Sequence, residues 1–285
     1  HGSRPSREAL DLTGADLALV QFSSGTTVEP KPVALSHRAV LAQVNALNTF
    51  WQDTRETKHS CVSWLPLYHD MGLIGCVFPA LARDASLTLL GPETFIGRPA
   101  LWLRSLSRYR GTISTAPNFG YALCLSRIRD EDMEGVDLSS WQAALNGAES
   151  IAPQVLRAFS ERFARWGFEP RALTPVYGLS EASLAVTFSA LNEPFVARRF
   201  SREALAQENS AVLDDDGREL VSVGRPLPNF AIRIVDAEGH DLPEDRIGRV
   251  WISGPSLMEG YLDRPEATAR ALRDGWLDSG DLGFL

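Results

Sequence analysis

Several short stretches of this sequence concentrate residue types that bind phosphate, nucleoside and carboxylate. Ser23-Ser24-Gly25-Thr26-Thr27-Val28-Glu29-Pro30-Lys31 sets successive hydroxyls around a glycine and follows them with a cation. Hydroxyls and free backbone N–H groups can wrap phosphate oxygens, and a lysine adds a point charge. The stretch lacks the GxxxxGK[ST] spacing of a Walker loop, and a plain polar turn has the same composition. Trp64-Leu65-Pro66-Leu67-Tyr68-His69-Asp70-Met71-Gly72 puts a histidine beside a carboxylate. His69 could position a substrate carboxylate or move a proton, or simply make a local hydrogen bond. The remaining histidines (His1, His37, His59, His240) are scattered, so no metal-ligand set accompanies it. Asn146-Gly147-Ala148-Glu149 and Tyr177-Gly178-Leu179-Ser180-Glu181 each follow a strand-like run, where glycine lets a ligand approach the backbone. Tyr177 offers a flat face to a purine, and Ser180 with Glu181 offers oxygen ligands to Mg²⁺. In Trp276-Leu277-Asp278-Ser279-Gly280-Asp281-Leu282-Gly283, Asp281 could accept from sugar hydroxyls, or the stretch could be a hairpin turn. No GxSxG elbow is present, which argues against a Ser-His-Asp hydrolase.

These loops need strands and helices to hold them. Residues 17–22 read as a strand entering the hydroxyl-rich loop, and Ser36 as the N-cap of a helix carrying Val40, Val44 and Leu47 at helical spacing. Strands are expected at 62–65, 86–90, 112–116 and 172–176. A helix is expected after Pro99, and the clearest one at 153–166, where Val155, Phe159, Phe163 and Trp166 share a face and Gly167 stops it. Strands alternating with helices predict a layered α/β core with a mainly parallel sheet. The rhythm changes near Asn192. Residues 204–218 are polar, and from Leu220 short strands such as 231–235 and 248–253 predict a smaller β-rich subdomain. The expected division is 1–219 for the α/β core, with an irregular insertion at 192–218, and 220–285 for the β-rich part.

Composition narrows the function. The 285 residues carry 28 Lys and Arg against 36 Asp and Glu, a formal charge of −8. That balance argues against nucleic-acid binding, which needs a basic face. The apolar run 73–82 is too short for a transmembrane segment and holds Gly75 and Pro79. Cys61, Cys76 and Cys124 lie far apart with no CxxC, which argues against a zinc ribbon or a disulfide scaffold and fits a reducing, cytoplasmic setting. No signal peptide is visible in the polar first residues.

In order and spacing, the phosphate-type loop from Phe22 to Thr27, Asn146-Gly147-Ala148-Glu149, Tyr177-Gly178-Leu179-Ser180-Glu181 and Ser279-Gly280-Asp281-Leu282 resemble the core motifs of the adenylate-forming superfamily. That group comprises acyl- and aryl-CoA synthetases, peptide-synthetase adenylation domains and luciferases. Ser63-Trp64-Leu65-Pro66-Leu67-Tyr68-His69-Asp70-Met71-Gly72-Leu73-Ile74-Gly75 resembles the fatty acyl-AMP ligase branch almost residue for residue. So do Ala116-Pro117-Asn118-Phe119-Gly120-Tyr121-Ala122-Leu123-Cys124 and Leu220-Val221-Ser222-Val223-Gly224-Arg225-Pro226. The segment 192–218 falls where that branch carries an insertion.

The resemblance implies ATP- and Mg²⁺-dependent activation of a fatty acid to acyl-AMP, with delivery to the phosphopantetheine arm of an acyl carrier protein. An acyl-CoA ligase and a non-catalytic nucleotide-binding module are the alternatives. By the same resemblance Ser23, Ser24, Gly25, Thr26 and Thr27 would cradle the phosphates with Lys31 nearby. Asn146, Gly147, Ala148, Tyr177 and Gly178 would hold adenine, Ser180 would contact phosphate, Glu181 would bind Mg²⁺ and Asp281 the ribose. His69 would line the junction of acyl chain and carboxylate. Val28 and Pro32 depart from the glycines usual in this loop and are expected to stiffen it. The resemblance further implies that the sequence is a piece of the large N-terminal domain. It would lack that domain's first part and the C-terminal domain with its catalytic lysine, and would be nearly inactive alone.

Overall fold

The computed structural model describes residues 11–23, 30–51 and 58–285. The chain opens with an antiparallel hairpin, β1 (Leu17–Phe22) and β2 (Pro32–Ser36), in which Phe22 lies opposite Pro32. Pro32 is tolerated because it is the first residue of its strand. The sequence reading had the loop run directly towards a helix, so β2 is an addition. Ser36 then caps α1 (His37–Phe50), its Oγ accepting from the Ala39 N–H at 3.2 Å. The buried stripe of α1 includes Val40, Val44 and Leu47, as their spacing predicts.

The centre of the molecule is a seven-stranded sheet. Its strands are β3 (Ser60–Ser63), β4 (Ser86–Leu89), β5 (Ile113–Ala116), β6 (Ala143–Asn146), β7 (Leu173–Gly178), β8 (Ala185–Phe188) and, further along the chain, Arg225–Pro226. From one edge, the order is Arg225–Pro226, β8, β7, β6, β5, β3, β4. The five strands β4, β3, β5, β6 and β7 run parallel, whereas β8 and Arg225–Pro226 are added antiparallel. Strands β5, β6 and β8 are buried at every position, as expected for a sheet covered on both faces.

One face carries an aromatic core around α5 (Ala100–Arg108), α6 (Asn118–Arg127) and α7 (Pro153–Phe163), once α2 (Asp70–Gly72), α3 (Phe78–Arg83) and α4 (Pro92–Gly97) are counted in chain order. Trp102, Tyr121, Trp141 and Phe159 meet edge to face there, for example Tyr121–Phe159 at 5.0 Å between centroids. Their polar tips are satisfied: Trp102 Nε1 donates to Ser114 Oγ at 2.8 Å and Tyr121 OH to the Leu145 carbonyl at 2.9 Å. Beyond Phe163 the predicted helix tightens to a 3₁₀ turn, Ala164–Trp166, and stops at Gly167 with φ 83°. The other face is covered by α1 and by the helix that joins α2 to α3 through a π-turn, Leu73–Val77. Pro79 lies two residues beyond that turn and has no N–H for the helical ladder, which favours a wider local register.

Residues 192–218, expected to be irregular, contain β9 (Ala197–Phe200) and a π-turn at Ala204–Glu208; β9 pairs with β10 (Arg218–Val221). With β11 naming the Arg225–Pro226 strand, the antiparallel sheet of the C-terminal part is β12 (Ala231–Val235), β13 (Gly248–Ser253), β16 (Trp276–Gly283) and β15 (Leu272–Arg273), in that spatial order. That sheet therefore starts at Ala231, and the strands from 218 to 226 pair back onto preceding elements. Between β13 and β15 lie β14 (Gly260–Tyr261) and α8 (Pro265–Ala271). β14 returns to pair with β2 and completes a three-stranded sheet with the first hairpin.

Candidate active site

Parallel strands deliver their following loops to one edge of a sheet, which is where open α/β sheets bind ligands. Here β3 leads to the His69 turn, β6 to 146–149 and β7 to 178–181. The β1–β2 hairpin and β16 approach the same edge. Together they enclose a cavity of about 500 Å³, a size typical of small-molecule sites. Ser23, Lys31, His69, Ala148, Tyr177, Gly178, Ser180, Glu181 and Asp281 all line it. Asn146 and Gly147 stand behind that wall at the end of β6. Asn146 is fully buried with no partner for either amide atom, and Gly147 packs so closely on β7 that a Cβ would sit 2.7 Å from Val176 Cγ2. Ala148 reaches the cavity through a left-handed backbone, φ 68°. Ser24, Gly25, Thr26 and Thr27, with Val28, lie outside the described residues.

The polar groups are wired in three sets. Ser23 N–H donates to the Lys31 carbonyl at 2.9 Å, and Lys31 N–H to Ser23 Oγ at 3.2 Å, which closes the hairpin loop. The second set joins residues far apart in sequence. Asp70 is buried; its Oδ2 accepts from Ser180 Oγ at 2.6 Å and its Oδ1 from Met71 N–H at 2.7 Å. His69 Nδ1 lies 2.6 Å from Oδ1 of the same carboxylate and 3.3 Å from Met71 N. Two acceptors at 2.6 Å would repel, so the proton sits on Nδ1 and donates to Asp70; the Met71 N–H then belongs to the carboxylate rather than to the ring. This hydrogen bond raises the His69 pKa above 6.5, against the opposing effect of burial.

In the third set, Tyr177 OH donates to Asp281 Oδ2 at 2.7 Å, and Tyr261 OH donates to Glu181 Oε1 at 2.8 Å. Burial first, then the neighbouring carboxylate, pushes both phenols up, so both stay protonated donors. Lys31 Nζ stands over the Tyr261 ring, 4.9 Å from its centroid.

Part of the cavity is apolar. Leu47 and Trp51 of the α1 region line it together with Ile113, Leu145, Ala185 and Phe188 of the sheet, all members of one buried cluster. Gly75 in the π-turn lines it too, and a Cβ there would lie 2.8 Å from Leu184 Cδ2. His69 lines the same cavity.

Sequence reasoning missed Tyr261 altogether, along with Arg249, whose guanidinium holds Asp278 in the cavity wall through bonds of 3.0 and 2.8 Å. It had Asp70 only as a neighbour of His69; a carboxylate next to a histidine in an apolar turn was the available signal. For Mg²⁺, no cluster of three or more His, Cys, Asp or Glu side chains is found among the described residues. One carboxylate is still enough where phosphates and water complete the shell, which is how Mg²⁺ is usually held. Glu181 fits that role, since Tyr261 occupies only Oε1.

Comparison with known proteins identifies the family. The family model described as AMP-binding enzyme matches residues 3–262. A Caulobacter vibrioides protein provisionally named an acyl-CoA synthetase is 38% identical over 96% of this chain and 48% of its own length. A 4-hydroxyphenylalkanoate adenylyltransferase of Mycobacterium marinum is 36% identical over 98% of this chain and 48% of its own. The medium-chain fatty acid–[acyl-carrier-protein] ligase JamA of Moorena producens is 32% identical over 96% and 48%. The solved fatty acyl-adenylate ligase of Legionella pneumophila, in complex with acyl adenylate and pyrophosphate, superposes with a TM-score of 0.89 at 35% identity, over 95% of this chain and 49% of that one. The chain thus spans about half the length of the curated relatives it matches. It belongs to the AMP-binding family of adenylate-forming enzymes.

Proposed function

We propose that this chain supplies the nucleotide and acyl sites of an ATP-dependent fatty acyl-AMP ligase. The observation that carries the reading is one cavity lined both by the nucleotide-type loops and by a set of apolar side chains, with His69 in the same wall. An amphiphilic acid laid along that cavity would bring its carboxylate to the phosphate loops. The carboxylate oxygen attacks the α-phosphorus of ATP, the bond to the β-phosphate breaks, and pyrophosphate leaves. Two anions must meet in that step, so cationic and N–H groups have to offset their repulsion.

In this reading Tyr177 stacks on adenine while its hydroxyl steadies Asp281, which accepts from the ribose hydroxyls. The protonated Nδ1 of His69 is committed to Asp70; in the charged ring, which the raised pKa favours, Nε2–H is left to donate to the substrate carboxylate. Lys31 and Ser23, with the hydroxyl loop between them, serve the phosphates. Ser180 lies beside them, its hydroxyl directed to Asp70. Glu181 would hold Mg²⁺, which when bound neutralises phosphate charge and steadies the leaving pyrophosphate. The phosphopantetheine thiol of an acyl carrier protein then attacks the acyl carbon, the bond to the AMP oxygen breaks, and AMP leaves with a thioester formed and the thiol proton released. The relative named as a carrier-protein ligase supports that acceptor, and the one named as an acyl-CoA synthetase supports CoA.

The test is fatty-acid-dependent exchange of pyrophosphate into ATP by the full-length natural protein. A ladder of alkanoic and arylalkanoic acids is offered, with mass detection of acyl-AMP, followed by addition of carrier protein or CoA. The expected result is exchange that requires a fatty acid, with acyl transfer to carrier protein and little to CoA. No acid-dependent exchange refutes the activity; efficient acyl-CoA formation replaces the carrier protein with CoA.

A further inference from the structure

Segment 256–261 ties together two loops that the sequence holds far apart. Ser256 Oγ donates to the Ala182 carbonyl at 2.8 Å, Ser183 Oγ donates to the Ser256 carbonyl at 2.7 Å, and Met258 N–H donates to the Glu181 carbonyl at 2.8 Å. Two residues later β14 joins β2, with Tyr261 opposite Val33, just beyond Lys31. The Tyr261 side chain therefore sits between the turn that carries Glu181 and the hairpin that carries Lys31. It contacts both: its hydroxyl donates to Glu181 Oε1 at 2.8 Å, and its ring face lies 4.9 Å from Lys31 Nζ.

We propose that Tyr261 is a positioning residue for the metal–triphosphate end of the site. This rests on the reading of Glu181 as the Mg²⁺ ligand. A direct Lys31–Glu181 ion pair would consume the cation meant for phosphate and the carboxylate meant for the metal. A neutral phenol avoids this. Its O–H fixes one oxygen of Glu181 without cancelling the charge, and leaves Oε2 open. Its quadrupole holds the ammonium over the ring without pairing it to an anion.

The phenol's two contacts are separable. Tyr261→Phe deletes the bond to Glu181 and keeps the ring under Lys31; Tyr261→Leu deletes both. Binding of α,β-methylene-ATP is measured by calorimetry in the full-length natural protein, with Mg²⁺ and with EDTA. Mg²⁺ titrations of pyrophosphate exchange run in parallel, and thermal melting is the control for folding. In Tyr261→Phe the gain in affinity conferred by Mg²⁺ should shrink by about three- to tenfold, with metal-free binding unchanged. The Mg²⁺ half-saturation should rise by a similar factor, with the rate at saturating Mg²⁺ within about twofold. Tyr261→Leu should in addition weaken metal-free binding. Glu181→Gln separates the two ideas. If it removes the Mg²⁺ increment and Tyr261→Phe leaves that increment intact, the positioning role is refuted while Glu181 stands. If Glu181→Gln leaves the increment intact, the metal assignment fails and the role of Tyr261 falls with it.

Discussion

Replacing Asp70 by asparagine changes a charge while nearly keeping a shape, and its effect can be worked out from the contacts. The carboxylate receives Ser180 Oγ at 2.6 Å, Met71 N–H at 2.7 Å and His69 Nδ1 at 2.6 Å. An asparagine oxygen in the place of Oδ1 keeps Met71 and His69, now with a neutral acceptor. Its NH₂ faces Ser180, whose hydroxyl can rotate to accept. The loss is the charge-assisted part of these bonds, about 1–2 kcal/mol in all. Asp70→Ala instead strands the donors in a buried place and should cost about 3–5 kcal/mol. The larger consequence concerns His69. In the wild type its pKa lies above 6.5; in Asp70→Asn the bond goes to a neutral acceptor and the attraction of the carboxylate is gone while burial still opposes the charged ring, so the value should fall. A group whose folded pKa exceeds its unfolded value adds stability that is fully present below about pH 6.5 and is lost as pH rises through the folded pKa. The stability gap between wild type and Asp70→Asn should therefore be widest in mild acid and narrow as the medium becomes alkaline. The assay is an NMR titration of the His69 ring together with urea unfolding across pH 5–9. A His69 pKa in the variant at or above that of wild type, or a gap that stays constant with pH, would refute the reasoning.

Further outcomes follow from single contacts. Tyr177→Phe removes the 2.7 Å bond to Asp281 and keeps the ring, so KM for ATP should rise about three- to tenfold with KM for the fatty acid unchanged, as steady-state kinetics will show. Gly75→Val builds methyl groups towards Leu184 in the apolar part of the cavity, so the longest acid accepted should become shorter while the ATP KM holds; an unchanged acid ladder would sink the assignment of that part. Gly178→Ala places a Cβ 1.8 Å from the Leu184 carbonyl oxygen, which no rotamer change relieves, and should cost about 3 kcal/mol or more by denaturant midpoint.

The layout of the core was readable because its signals are local. Ser36 caps the helix its hydroxyl announces, and the strands around 143–146 and 173–178 end on the motifs that bring Ala148 and residues 177–181 to the cavity. What was not readable is set by partners distant in sequence. β2 begins with a proline and is five residues long, and its neighbours are β1 and β14. β8 looks like any other buried strand, yet it lies antiparallel to β7. Cys61 and Cys76 carry no joint motif, but β3 and the π-turn bring their thiols close enough to act on each other's protons, pushing Cys61 up and Cys76 down. Within the site, residue types identified His69, Tyr177, Glu181 and Asp281 as candidates. The links from Asp70 to Ser180 and from Tyr261 to Lys31 depend on tertiary placement, which has no period or spacing to betray it.

The small sheet formed by β1, β2 and β14 has a consequence in time. Its first hairpin leaves the ribosome well before the strand that completes it, which comes near the other end of this sequence. The Arg38–Glu259 ion pair beside it spans 221 residues. At about 5–20 residues per second, translation makes that hairpin wait roughly 11–44 s for its third strand. Ala34 and Val33, which lie opposite Gly260 and Tyr261 in the finished fold, lack those partners throughout the interval. The nascent chain thus carries an unpaired β2 edge next to its phosphate-type loop, and is exposed there to mispairing or to a chaperone's grip. Ribosome-bound chains halted before residue 256 should be cut by protease near 30–36, and chains halted well past 262 should resist. The site for the nucleotide would then be among the last parts of this chain to close.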